Sequence, residues 1–163
     1  MQTLKPITKE GIPRALEKVE RYRLLNEPAE AESICRDILE LDPDHQKALS
    51  MLILTLSDQF NSGVPYKEAA SLLNRLKDDY QRAYYKGIIL EREAKAAIKR
   101  GGFGSQFDAY EWLIEAIDAF ERAASLRPAG NDDAILRYNA CVRTIQRHHL
   151  TPRAQESREP LLE

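Results

Sequence analysis

The stretch Ala116-Ile117-Asp118-Ala119-Phe120-Glu121-Arg122-Ala123-Ala124-Ser125-Leu126-Arg127-Pro128 narrows what this chain can fold into more than any other. Ala116, Phe120 and Ala123 are spaced by four and then three positions, so a helix puts all three on one face. The two alanines let a neighbouring helix come close, and the phenyl ring fills the space between helices. Pro128 cannot continue a helix, so a turn falls there. The same spacing recurs in Ala31-x3-Cys35-x2-Ile38-x4-Pro43, with Cys in place of Phe and Ile in place of the second Ala. Both stretches run 12 positions from the first alanine to the proline. Two segments built for close helix–helix contact predict a stack of helices.

The A-x3-F-x2-A-x4-P pattern resembles the second helix of a tetratricopeptide (TPR) repeat with its closing proline. The two prolines stand 85 residues apart, so two repeats of the family length, about 34 residues, leave about 17 over. Counted from Pro43, the family's glycine position in the next repeat but one falls on Gly87, and Tyr22 occupies the tyrosine position ahead of Ala31. Gly87 and Ala116 are 29 positions apart, where the family has about 12. The surplus therefore sits in one place. The resemblance covers residues 12–147 and is weakest in the middle, where Pro65 stands at a position for a small alanine. It implies an all-α fold: three antiparallel helical hairpins stacked as a short TPR-like superhelix of about seven helices, with an extended third hairpin and a C-terminal capping helix. The surplus around residues 88–105 either lengthens a helix or bends a loop over the groove. In the second case Phe103 and Phe107 would plug it.

The chain reads as a flexible N-terminal arm over residues 1–11, a helical domain over 12–147 and a mobile polar tail over 148–163. Pro13 and Pro28 suit first turns of helices, and Asn26 tolerates the left-handed conformation of the turn between them. Asp44 is the expected N-cap of a helix over 45–59. A shorter helix is expected over 66–77 and a long one over 78–100. Gly87 inside the long helix disfavours it by about 1 kcal/mol relative to Ala, which a close helix approach would offset. Ser105-x2-Asp108 approximates a capping box for a helix over 106–126. Asn131, Asp132 and Asp133 start a last helix that runs to Arg147.

With 43% hydrophobic and 31% charged residues, the chain has the makings of one soluble helical core and does not read as disordered. A formal charge of −2 argues against nucleic-acid binding, which uses a strongly basic face. Cys35 and Cys141 fall on apolar stripes and read as free buried thiols in a reducing compartment. No apolar signal-peptide core precedes Pro13, and the longest apolar run, Met51 to Leu54, is far too short to span a membrane. A cytoplasmic protein with no membrane association is expected.

Chemical motifs are sparse. Gly101-Gly102-Phe103-Gly104 lacks the preceding strand and the Lys-Ser/Thr of a phosphate loop. His148-His149 has no cysteine or carboxylate at zinc-like spacing. Paired carboxylates sit at helix starts, where they cap. No catalytic residues, metal or cofactor are expected, and the chain reads as no enzyme.

In the TPR family the first helix of each hairpin lines a concave groove. The resemblance places Glu20, Arg23, Leu54 and Tyr84 in such a groove, together with Ile88, Arg92, Asn139 and Arg143. Tyr and Arg are the types that dominate binding energy at protein interfaces. The Lys and Asn positions with which some TPR domains clamp a C-terminal carboxylate are filled here by Leu16, Glu20 and Leu54, so that ligand is not implied. The expected function is a non-catalytic adaptor that takes a protein or peptide partner, as an extended peptide or a helix with an acidic end. The alternatives are a self-associating structural protein, forming a homodimer through its open helical edges, and a dedicated chaperone of secreted proteins, which resembles this chain in size.

Overall fold

The computed structural model describes residues 1–154. Among them are seven α-helices and no strand: α1 (Ile12–Leu24), α2 (Pro28–Leu41), α3 (Gln46–Ser57), α4 (Tyr66–Ala70), α5 (Asp79–Arg100), α6 (Ser105–Leu126) and α7 (Asp133–Arg147). Each helix packs on the one before it, except that α5 packs on both α3 and α4. None of these helices is long and apolar enough to cross a membrane.

The two echoing stretches occupy α2 and α6, and both bury the face their spacing defines. Ala31, Cys35 and Ile38 are fully buried on α2, as are Ala116, Phe120 and Ala123 on α6. Pro13 and Pro28 sit in the first turns of α1 and α2. Asn26 turns the chain between them with a φ of 57°, a left-handed conformation that asparagine tolerates better than most residues.

At Gly87 the Phe120 ring of α6 packs directly on the backbone of α5. A Cβ on this glycine would lie 2.5 Å from Cε1 of Phe120. The ring occupies the space that any other residue would fill. Burial of the whole Phe120 side chain against α5 outweighs the loss of helix propensity at one glycine.

Residues 88–105 continue α5 and open α6 and do not bend as a loop over a groove. α5 and α6 are 22 residues each, and only Gly101–Gly104 joins them. Phe103 points into solvent, and Phe107 lies under the guanidinium of Arg153, 5.6 Å from the ring centroid. Neither plugs a groove.

Several local expectations are corrected. His45, not Asp44, caps α3: its Nδ1 accepts from the Ala48 amide at 3.2 Å. The helix expected over 66–77 stops at Ala70 and gives way to a 3-10 turn at Leu73–Arg75. Tertiary bonds take over there. The Gln46 side chain donates to the Arg75 carbonyl at 3.2 Å and accepts from the Lys77 amide at 2.9 Å. Leu76, extended at ψ 130°, is thereby driven into the core. The capping box at Ser105 does not form; Gly104 starts α6 with a φ of 81°, and Asp108 pairs with Arg153.

At the N-terminus, Thr8 caps a 3-10 turn and Ile7 packs against Ile12, Ile38 and Ala48. At the other end the chain stays on the body past residue 148. Leu150 is buried, and Arg153 pairs with Asp108 and Glu111. The rest of the expected tail, residues 155–163, lies outside the described residues.

Candidate binding groove

Helices α1, α3, α5 and α7 together wall a groove of about 590 Å3. α5 forms its floor. Tyr84, Ile88, Glu91, Arg92 and Lys95 recur along α5 at helical spacing and share one face. α1 contributes Arg23 from its last turn. α3 contributes Leu54, Ser57 and its C-cap Asp58, and α7 contributes Arg137.

Two carboxylates organise the charges. Asp58 holds two arginines. Arg23 donates Nε to Oδ2 at 2.7 Å and Nη2 to Oδ1 at 3.4 Å, and Arg92 donates Nη1 to the same Oδ1. Glu91, only 1% exposed, is the second centre. Arg137 donates Nε to Oε2 at 3.0 Å and Nη2 to Oε1, and Lys95 Nζ lies 3.0 Å from that same Oε1. A buried carboxylate survives only when its lone pairs are answered in this way. One ion centre ties α1, α3 and α5 together, and the other ties α5 to α7.

Each carboxylate therefore carries two cations. Four positive side chains against two negative ones leave two positive charges in the groove. The whole chain carries −2, and its described residues 1–154 sum to zero, so those outside the groove sum to −2.

The crowding is visible in Arg92. Burial pulls its pKa down to about 10, and repulsion from Arg23 and Arg137 adds to the effect. It stays charged at neutral pH. Burial also lowers Arg23. For Arg137, burial works against the charge, but the bond to Glu91 and its negative charge outweigh it, and the net shift is upward. Tyr84 is pushed up to about 12 by burial, reinforced by the charge of Asp133. Its ring meets Phe120 and Tyr85 edge-on, at 5.9 and 5.2 Å between centroids.

Of the residues expected in the groove, Arg23, Leu54, Tyr84, Ile88 and Arg92 come together. Glu20, Asn139 and Arg143 do not line it. Glu20 instead pairs with Lys47 of α3 at 3.7 Å, both side chains exposed. On α7, the fully buried Ala134 and Cys141 fix which face turns inward. Arg137 lies three residues after the first and four before the second, so it shares their face, while Asn139 and Arg143 fall elsewhere.

Asp58, Lys95 and Arg137 were not anticipated. Two of them carried a signal in the sequence. Lys95 stands four residues after Glu91, the favoured order for a helical ion pair. Arg137 falls on the stripe set by Ala134 and Cys141. Asp58 carried none, because its role depends on the turn after α3.

The other titratable candidates stand apart. Cys35 and Cys141 are free and fully buried, and burial pushes both thiols up to about 12. His148 and His149 are exposed at the end of α7. Compared with known proteins, the chain matches no family model, no curated protein and no solved structure.

Proposed function

We propose that this chain is a TPR-like, non-catalytic interaction module that binds a negatively charged peptide segment or partner helix in the groove between α1, α3, α5 and α7. The observation that carries the reading is the charge of the groove. A chain with net −2 gathers four cations around two carboxylates in one concave place. A cleft with low-dielectric walls focuses such a field on whatever enters it. Leu54 and the Tyr84 ring, both partly exposed, supply apolar surface beside the charges. Anchors of this kind beside satisfied polar groups are what protein interfaces use. Cys35 and Cys141 stay reduced in a cytoplasmic setting, which is where we place the protein.

Selection from a random peptide library tests the proposal. Peptides retained by the protein should be enriched in Asp and Glu. Their binding should weaken about tenfold in Arg92→Ala, which removes a charged donor, and should be unchanged in Glu20→Ala. Selected peptides without a charge bias, or indifferent to Arg92→Ala, would remove the groove from the account.

A second reading has its own observation. Leu24 and Leu25 at the end of α1 are 88% and 61% exposed, and Leu136 on α7 is 62% exposed. Open helical ends of this type favour self-association. Light scattering across a concentration series decides it: a mass that stays at 18.6 kDa rules it out.

A further inference from the structure

We infer that the negative group this groove selects is a doubly charged phosphoryl group, carried as a phosphorylated side chain on the bound peptide and met by Arg92, Lys95 and Arg137. The inference rests on the groove being the binding site, as proposed above.

Three observations carry it. First, the surplus is double and split. Arg23 and Arg92 share Asp58, and Lys95 and Arg137 meet at one oxygen of Glu91. Each half is over-neutralised by one charge. A single carboxylate answers one half and leaves the other. A phosphoryl group brings a charge of about −2 and three acceptor oxygens, enough for both.

Second, the donors are there. A guanidinium has five N–H donors. Arg92 gives one bond, through Nη1 to Asp58, and Arg137 keeps its Nη1 after bonding Glu91 through Nε and Nη2. Arg92 and Lys95 sit three residues apart on α5, on the same face. The side chains of Arg92, Lys95 and Arg137 remain 30, 50 and 34% exposed, so a ligand can reach them. Arginines converging on one place are how phosphorylated motifs are recognised elsewhere.

Third, the excess is compact. Arg92, Lys95 and Arg137 line one groove, so a ligand whose two charges sit on one side chain meets both halves at once, whereas the carboxylates of an acidic stretch stand on separate residues.

The experiment uses three blocked heptapeptides of alanine that differ only at the central residue: phosphoserine, glutamate or serine. Inorganic phosphate is a fourth probe. Binding to the full chain is followed through the Nε–H NMR signals of Arg23, Arg92 and Arg137. The phosphoserine peptide should shift the Arg92 and Arg137 signals saturably and bind at least about tenfold tighter than the glutamate peptide, as a second charge-assisted contact would give. The serine peptide should shift neither signal. Lys95→Gln, which keeps a donor for Glu91, should weaken the phosphoserine peptide several-fold while the protein stays folded by circular dichroism, and Arg92→Gln should do so more strongly. Equal affinity for phosphoserine and glutamate peptides overturns the inference and leaves the groove reading standing. Inorganic phosphate binding as tightly as the phosphoserine peptide overturns the assignment to a peptide. Failure of all four probes, with library-selected acidic peptides still binding at Arg92, also refutes the phosphoryl group alone; failure of those peptides too removes both.

Discussion

At the scale of single residues, the contact between Gly87 and Phe120 decides the sign of a substitution. On an open helix, Gly→Ala stabilises by about 1 kcal/mol. At Gly87 the new methyl would meet a ring atom at 2.5 Å, and Phe120 is fully buried with no free direction to move. Overpacking of this kind costs about 1–3 kcal/mol. Gly87→Ala should therefore destabilise the fold in urea titration, and a second change, Phe120→Leu, should recover part of the loss. A gain in stability for Gly87→Ala alone would mean that the helices have room there. The buried thiols make a second prediction. Burial raises Cys35 and Cys141 from 9.0 to about 12, so the folded state keeps protons that the unfolded state gives up. Their contribution to stability is fully present below pH 9 and declines as pH rises from there toward 12. Replacing both cysteines by alanine should flatten that part of the pH–stability curve, whatever it does to stability at neutral pH.

At the scale of elements, ion centres and side-chain clasps define what helix periodicity leaves open. Glu91 is the only carboxylate between α5 and α7 to hold both Arg137 and Lys95 among the described residues, and it is almost inaccessible. Glu91→Ala leaves those cations facing each other and should destabilise by about 2–3 kcal/mol, at the low end for a broken buried pair because the cations are half-exposed. Glu91→Ala should also loosen α7, seen as faster amide exchange from Ala134 to Cys141; exchange unchanged there would show that packing alone holds that helix. The same contrast explains what could be read from the chain. α2 and α6 were legible because their burial follows from spacing within one helix. Arg23, Leu54, Tyr84, Ile88 and Arg92 line one groove, and the three on α5 share a face by helical spacing alone. The broken segment after Ala70 was not legible, because Gln46 binds it across 29 to 31 positions. On α7 the repeat resemblance turns Asn139 and Arg143 inward, whereas the helix's own buried stripe of Ala134 and Cys141 turns Arg137 there. The buried end at Leu150 was missed because a polar sequence around one leucine carries no periodicity.

At the scale of the molecule, α5 is a wall common to two cores. Ile89 and Ala96 face the core built with α1 to α4, and Ile88, Leu90, Ala94 and Ala97 face the core built with α6 and α7. Neither core is complete without it. Unfolding should accordingly be one transition, with the fluorescence of Trp112 on α6 and the far-UV circular dichroism of all helices giving one urea midpoint. Separate midpoints would mean that the halves melt independently. The notch at Gly87 has a mechanical consequence for this wall. Phe120 rests on the residue of α5 that has no Cβ. One turn in either direction, the ring would strike Ala83 or Tyr84, or Leu90 or Glu91. The ring in the notch opposes sliding of α6 along α5, so of the helices that wall the groove, α5 is the one braced from behind.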